Sequence, residues 1–181
     1  MDEAQISVFD TNIFLLGLDF NLIPGKIFTI PKIIEEIEVS KYKDKNRNIL
    51  NRIHAAINNK KLIIKTPQKK YLQNVENRAS VTGDYNALSK ADKELIALTL
   101  ELIKTRNEKV VLYSNDYSIE NVCSELNIPF ESLYKKGIKA KILWEIYCPF
   151  CNKTHNPEDL DKTCEICGSK LKRRPKNKII Y

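Results

Sequence analysis

The chain has 181 residues and a mass of 21.0 kDa, which is long enough for one ordinary domain and a small additional module. Hydrophobic residues make up 43% and charged residues 29%, with 5 Gly and 7 Pro, and this composition excludes collagen-like and low-complexity chains. No apolar run approaches the roughly 20 residues of a membrane helix, and the N-terminus is acidic, so we expect a soluble cytoplasmic protein without a secretory signal.

The pattern of apolar residues predicts alternating strands and helices up to about residue 126. Strands are expected at 6–9, 26–30, 62–65 and 109–113, and helices at 32–40, 44–58, 89–102 and 119–126. Pro31 is placed to begin the first helix, and Ser89 is placed to cap the third. The polar stretch 69–88 is expected to contain a flexible loop around residues 82–85. The alternation predicts an α/β fold, with a central parallel sheet flanked by helices.

Four acidic residues are predicted to approach one edge of this sheet. Asp10 directly follows the first strand, and Asp116 follows the last predicted strand. These positions meet because the carboxyl ends of parallel strands share an edge. Asp92 lies in the first turn of a helix that starts there, and Glu36 lies on the first helix. From spacing alone, a shared metal site and a set of turn, cap and surface residues are equally good interpretations.

A cluster of carboxylates could bind a catalytic metal ion. Their oxygen atoms select hard divalent ions such as Mg²⁺ or Mn²⁺, which bind phosphate oxygens and activate water for phosphodiester hydrolysis. The sequence contains no Gly-rich phosphate-binding loop, which argues against a nucleoside triphosphatase.

The C-terminal part contains a metal-binding pattern. Four cysteines form two pairs, Cys148/Cys151 and Cys164/Cys167, with 12 residues between the pairs. Four thiolates at this spacing predict one structural Zn²⁺, since they leave no open coordination position for catalysis. Two disulfides and an iron site are the alternatives, and the odd cysteine argues against the disulfides. The fifth cysteine, Cys123, is expected to be a small residue of the protein core on the predicted helix 119–126.

The net charge of +7 is confined to the last quarter of the chain. Residues 1–134 contain 18 basic and 18 acidic residues, whereas residues 135–181 contain 12 basic and 5 acidic ones. A local excess of this kind favours a polyanion such as RNA, and a solvated tail is the alternative. The candidate RNA-binding residues are Trp144, Lys170, Lys172, Arg173 and Arg174. Taken singly, the aromatic residues Trp144, Tyr147 and Phe150 are expected to pack over the zinc site.

Several motifs together resemble known nucleases. The stretches Val8-Phe-Asp10-Thr-Asn12, Pro31-Lys-Ile-Ile-Glu-Glu36-Ile, Ala91-Asp92 and Ser114-Asn-Asp116 resemble the four acidic motifs of the PIN-domain nucleases. Two further stretches, Thr82-Gly-Asp84-Tyr85-x-x-Leu88-Ser89-x-x-Asp92 and Trp144 followed by the four cysteines and Gly168-Ser-Lys-Leu-Lys-Arg173, resemble the Nob-one family. Members of that archaeal and eukaryotic family mature the 3′ end of small-subunit rRNA, and this compact chain resembles an archaeal member.

The resemblance implies a metal-dependent endoribonuclease that cleaves single-stranded precursor small-subunit rRNA at its mature 3′ end. It implies Asp10, Glu36, Asp92 and Asp116 as catalytic ligands of one or two Mn²⁺ or Mg²⁺ ions, with Glu35 as a competitor for the role of Glu36. Asn12, Ser114 and Asn115 are expected to orient these ligands. Asp84 is a candidate for either RNA docking or turn formation.

The implied partners are precursor rRNA, the pre-small ribosomal subunit and its assembly factors, without a membrane. The expected division is a nuclease domain at 1–134, a linker at 135–142, a zinc ribbon at 143–174 and a basic tail at 175–181. A non-catalytic RNA-binding assembly factor and a toxin-type PIN ribonuclease acting on tRNA or mRNA remain as alternatives.

Overall fold

Five parallel strands form the central sheet of the protein. A computed structural model describes residues 5–39, 43–133 and 140–180. Its central strands are β1 (Gln5–Phe9), β2 (Lys26–Thr29), β3 (Leu62–Ile64), β4 (Lys109–Tyr113) and β5 (Phe130–Glu131). Their order is β3-β2-β1-β4-β5, and every neighbouring pair is parallel. The predicted α/β class with a central parallel sheet is therefore confirmed.

Helices connect the strands and cover the sheet. They are α1 (Thr11–Phe14), α2 (Pro31–Glu38), α3 (Lys43–Asn58), α4 (Lys69–Thr82), α5 (Lys90–Thr105) and α6 (Tyr117–Glu125). Short 3₁₀ helices occupy Phe20–Leu22 and Pro157–Asp159. Helix α6 begins two residues earlier than predicted, because Asp116 caps it by accepting a hydrogen bond from the N–H of Ser118. None of the helices in the described ranges is long and apolar enough to cross a membrane.

Helix α4 was not predicted. Its buried residues Val75, Ala79 and Thr82 recur at helical spacing, but the polar residues around and between them weaken the apolar pattern. The helix contacts α5 and α6, so tertiary packing stabilises a segment that its sequence marks only faintly. The predicted loop is reduced to the turn that follows α4.

The main core lies between the sheet and its helices. Strand residues such as Val8, Ile27 and Leu112 are fully buried. Strands covered on both faces read as continuous apolar runs, which is the pattern seen in the sequence. A second, smaller core surrounds Ile146 and Leu171 near the cysteine pairs.

Three antiparallel strands form the C-terminal part. They are β6 (Ala140–Tyr147), β7 (Thr154–His155) and β8 (Lys172–Ile180), in the order β7-β6-β8. Residues 135–139 of the predicted linker and Tyr181 of the predicted tail lie outside the described residues. Strand β8 runs from the predicted ribbon into the predicted tail. The division into four segments stays a prediction.

Candidate functional site

Asp10 lies at the centre of a polar cluster at the carboxyl edge of the sheet. It follows β1, where the strand order reverses between β1 and β4, and such a switch point is where α/β sheets bind ligands. One carboxylate oxygen accepts a hydrogen bond from the N–H of Thr11 at 2.6 Å. The other accepts hydrogen bonds from the amide of Asn12 at 2.6 Å and the hydroxyl of Ser114 at 2.8 Å. These three donors fix the orientation of the carboxylate.

The electrostatics of Asp10 reflect its burial and the charges of two other predicted acids. Burial raises the pKa of Asp10 to about 6, although the hydrogen bonds from Ser114 and Thr11 oppose the increase. The negative charges of Asp92 and Asp116 raise this pKa further. Acids that disfavour each other's ionised form are stabilised by a bound cation, so the cluster has the electrostatic character of a cation site.

The side chains of Asp92 and Asp116 are held at the starts of helices. Asp92 accepts a hydrogen bond from the N–H of Ser89 at 2.7 Å, and the Ser89 hydroxyl accepts one from the N–H of Asp92 at 3.1 Å. The two residues form a capping box at the start of α5. Asp116 caps α6 through the N–H of Ser118 at 2.7 Å. Each carboxylate has further lone pairs, so capping is compatible with binding a cation.

One hydroxyl joins two of the predicted acidic residues. Ser114 is 1% exposed and follows β4. Its hydroxyl donates to Asp10 and accepts a hydrogen bond from the N–H of Asp116 at 3.1 Å. The predicted orienting residue therefore contacts both Asp10 and the backbone that carries Asp116.

Glu36 reaches the cluster through a residue that the sequence reasoning missed. The Thr11 hydroxyl donates a hydrogen bond to Glu36 at 2.6 Å, and Thr11 directly follows Asp10. Glu35 and Glu36 are both exposed on α2. The position of Thr11 between Asp10 and Asn12 was the one signal in the sequence that pointed to it.

The donor set fits a hard divalent cation. The cluster offers oxygen atoms, and the side-chain oxygens of Asn12 and Asn115 are buried without a hydrogen-bond partner. A cation or its water molecules would satisfy them. Among the described residues, the potential ligand groups that lie within 4.8 Å of one another are the four cysteines and not these acids.

The four cysteine sulfurs form a second candidate metal site. The Sγ atoms of Cys148 and Cys167 are 3.3 Å apart, and those of Cys151 and Cys164 are 3.7 Å apart. A disulfide has a length of about 2.05 Å, whereas sulfurs bound to one tetrahedral zinc ion lie about 3.8 Å apart. All five cysteines are free, so the structure disagrees with the disulfide alternative and fits a zinc ribbon.

Each cysteine pair is followed by a residue with positive φ. Gly168 has a φ of 72° and donates its N–H to the carbonyl of Cys164. Asn152 has a φ of 58° and donates to Cys148 in the same way. Asparagine is one of the few residues besides glycine that adopts this conformation readily.

Two of the predicted RNA-binding residues, Arg173 and Trp144, contact each other, and Arg173 also contacts a buried acid. Arg173 forms an ion pair of 2.9 Å with Asp84, and its guanidinium lies 4.5 Å from the centre of the Trp144 ring. The Trp144 ring therefore packs against an arginine side chain, so packing over the cysteine cluster is not its only role. Through Arg173, these contacts connect β8 to the turn that follows α4.

The other basic candidates are more accessible. Arg174 forms an ion pair with Glu145, and Lys170 forms an exposed pair with Asp161 at 3.1 Å. Lys172 is exposed. Phe150 is 78% exposed, so the expectation that it packs over the zinc site is wrong.

The sheet and its acidic edge define the class of protein. A parallel sheet that gathers carboxylates at its switch point is suited to metal-dependent cleavage of phosphodiesters. A family model described as the PIN domain of ribonuclease matches residues 7–102, from β1 into α5. The chain belongs to the PIN-domain ribonuclease family. It is therefore a divalent-metal-dependent endoribonuclease.

Individual relatives extend the similarity into the C-terminal part. The chain is 34% identical over 169 residues to the endoribonuclease Nob1 of Pyrococcus abyssi, covering 93% of each protein. It is 31% identical over 170 residues to the endoribonuclease Nob1 of Methanocaldococcus jannaschii, covering 94% of this chain and 78% of that protein. It is also 33% identical over 170 residues to the ribonuclease VapC1 of Thermoplasma acidophilum, with the same coverage. The predicted resemblance to the archaeal Nob-one family is confirmed.

Proposed function

We propose that the chain cleaves single-stranded precursor small-subunit rRNA at its mature 3′ end during ribosome assembly. The similarity to the Pyrococcus endoribonuclease Nob1 carries this proposal, because it covers 93% of the chain and so includes the cysteine ribbon. The proposed partners are precursor rRNA, the pre-small ribosomal subunit and its assembly factors. The proposed location is the cytoplasm.

The proposed catalytic residues are Asp10, Glu36, Asp92 and Asp116, which hold one or two Mn²⁺ or Mg²⁺ ions. The contact with Thr11 supports Glu36 rather than Glu35 as the ligand. A bound divalent ion supplies an activated water molecule and neutralises charge on the phosphate. The expected products carry a 5′ phosphate and a 3′ hydroxyl.

The protein's own residues prepare this site before the ion binds. Ser114 and Asn12 donate hydrogen bonds to Asp10 and keep its carboxylate in one orientation. The capping hydrogen bonds restrict the rotamers of Asp92 and Asp116. Metal ligands fixed in this way lose less conformational entropy when the ion binds.

The proposed role of the ribbon is to hold RNA beside this site. Its four cysteines bind one structural Zn²⁺, which stabilises a module whose own apolar core is small. Lys170, Lys172 and Arg174 then offer positive charge to the RNA backbone, so binding weakens as salt concentration rises.

The similarity to VapC1 supports a second candidate function. That relative is a ribonuclease that matches 94% of the chain, so a toxin-type activity on tRNA or mRNA has its own observation in its favour. The two functions differ in substrate and share the acidic site.

Substrate choice separates the candidates. The zinc-loaded chain is incubated with Mn²⁺ and an RNA that spans the 3′ end of small-subunit rRNA, and with tRNA and mRNA fragments of equal length. We expect one cut at the mature end, and we expect a complementary oligonucleotide across that end to block it. Equal cleavage of tRNA or mRNA would favour the second candidate, and a lack of cleavage of any RNA would contradict both.

A further inference from the structure

Asp84 is a buried acid that the acidic site does not use. Its side chain is 0% exposed and lies in the turn between α4 and α5. One carboxylate oxygen accepts a hydrogen bond from Arg173 at 2.9 Å, and the other accepts one from Asn121 at 2.6 Å. A buried carboxylate is costly unless charged and polar groups compensate it, so turn formation alone does not explain this residue.

The partners of Asp84 join the nuclease part to the ribbon. Arg173 belongs to β8, and Asn121 belongs to α6. The Asn121 amide also donates to the carbonyl of Ile142 at 2.8 Å and accepts a hydrogen bond from its N–H at 2.8 Å. The Asn121 side chain thus pairs with both the N–H and the carbonyl of Ile142 in β6, as the backbone of a neighbouring strand would. The ribbon is fastened through directional hydrogen bonds to both of its long strands.

The same turn contacts the ribbon at two more positions. A Cβ atom on Gly83 would lie 2.4 Å from the carbonyl oxygen of Trp144, so the β6 backbone approaches a position that only glycine can occupy. The Asn86 amide donates to the carbonyl of Glu158 at 2.6 Å. We call residues 83–86 the ribbon seat, because three of these four residues contact the ribbon through side chain or close backbone packing.

The ribbon seat also contacts the helix that carries Asp92. The ammonium group of Lys93 lies 3.8 Å from the centre of the Tyr85 ring, and Lys93 directly follows Asp92. The N–H of Leu88 donates to the carbonyl of Asp84 at 3.0 Å, one residue before α5 is capped. A single short turn therefore connects the ribbon to an acid of the candidate site.

We propose that the ribbon seat holds the zinc ribbon at a fixed position relative to the acidic site, with Asp84 as the positioning residue. This inference rests on the proposed function in one respect: the fixed position makes the enzyme cut RNA at a set distance from the point where the ribbon holds it. In this arrangement Arg173 and Trp144 contact the ribbon seat, and the more exposed basic residues Lys170 and Lys172 contact RNA.

The test compares Asp84→Asn with Asp161→Asn in the zinc-loaded full chain. Both changes remove one negative charge beside a basic partner, but Asp161 pairs with Lys170 at an exposed position of the ribbon. The first measurement is ¹⁵N relaxation, which gives separate rotational correlation times for the sheet and for the ribbon. We expect equal times in the wild type and in Asp161→Asn, and a shorter time for the ribbon in Asp84→Asn.

The second measurement uses RNA of two lengths. The short RNA reaches only the acidic site, whereas the long RNA also reaches the ribbon. A ribbon that is free to reorient has a lower effective concentration at the long RNA. In Asp84→Asn, the ratio of kcat/KM for the long RNA to kcat/KM for the short RNA therefore falls roughly tenfold. The rate on the short RNA stays at the wild-type value, which a general loss of folding would not allow.

The two measurements separate the inference from the proposed function. Unequal correlation times in the wild type, or equal times in Asp84→Asn, would overturn the ribbon seat. If no RNA is cleaved, the proposed function fails and the relaxation data still decide the seat. If Asp84→Asn loses its zinc or unfolds, Gly83→Ala replaces it and obstructs the same contact without a change of charge, with Gly17→Ala as its control.

Discussion

Replacement of Ser114 by alanine tests whether one hydroxyl organises the acidic site. The wild-type hydroxyl donates to Asp10 at 2.8 Å and accepts from the N–H of Asp116 at 3.1 Å. Alanine removes both contacts with little change in volume. Asp10 keeps its hydrogen bonds from Thr11 and Asn12, so its carboxylate becomes less constrained but stays in place.

The size of the effect follows from these contacts. The part-buried N–H of Asp116 loses its acceptor, and an unsatisfied buried group reduces the free energy of unfolding by about 1–3 kcal/mol. Loss of a group that orients metal ligands lowers metal affinity by roughly 10–100-fold. We therefore expect Ser114→Ala to fold with reduced stability and to bind Mn²⁺ more weakly by that factor.

Calorimetric titration of the zinc-loaded chain with Mn²⁺ measures the affinity, and urea unfolding measures the stability. Ser80→Ala is the matched control, because it removes a hydroxyl that donates to the carbonyl of Glu76 within α4. The control should bind Mn²⁺ as the wild type does. Wild-type affinity in a folded Ser114→Ala protein would refute the role of this hydroxyl.

Three further predictions concern stability. Gly83→Ala and Gly17→Ala both place alanine at a φ near +70°, which lowers the free energy of unfolding by about 1 kcal/mol. Only at Gly83 does the new Cβ meet backbone, at 2.4 Å, so urea unfolding should show a loss of stability larger by at least about 1 kcal/mol for this variant. Equal losses would contradict the close approach. Burial alone would raise the pKa of Glu101, but hydrogen bonds from Lys65 and from the N–H of Gln68, with the positive charges of Lys65 and Lys70, outweigh it and lower this pKa below its ordinary value of 4.5. Glu101 therefore stabilises the fold above about pH 4.5 and stops doing so as the pH falls through its lowered pKa, and urea midpoints should decline more steeply in acid for the wild type than for Glu101→Gln; parallel declines would count against it. Removal of the metal by a chelator should collapse the NMR signals of β6–β8 while those of the central sheet persist, and unchanged ribbon signals would show that the four cysteines need no metal.

Four of the five central strands, and the position of two acids at their carboxyl ends, could be predicted because local patterns encode them. The strands of a covered parallel sheet are short apolar runs. Asp10 comes directly after one of them, and Asp116 follows another with Ser114 and Asn115 between. Parallel topology then brings these ends together without any knowledge of side-chain packing. The cysteine spacing is local in the same sense. Helix α4 was missed because its stability comes from α5 and α6 rather than from its own apolar pattern.

The contacts that the sequence did not reveal join distant residues. Asp84 and Arg173 are 89 positions apart, and nothing in the turn motif indicates a partner in the last strand. The hydrogen bond from Thr11 to Glu36 likewise depends on how α1 and α2 meet. Charge composition identified Arg173 as part of a basic segment, but it could not indicate the ion pair of this residue with Asp84.

The central claim is that the acids at the sheet edge bind the ions that cleave RNA. Asp10→Asn tests it most directly, with Asp19→Asn as the control, since Asp19 also caps a short helix but is exposed. With Mn²⁺ and the rRNA 3′-end substrate, the cleavage rate of Asp10→Asn should fall by at least about a hundredfold, because several kcal/mol of metal-dependent stabilisation are lost. RNA affinity should stay near the wild-type value in both variants. Cleavage by Asp10→Asn at the rate of Asp19→Asn would contradict the account.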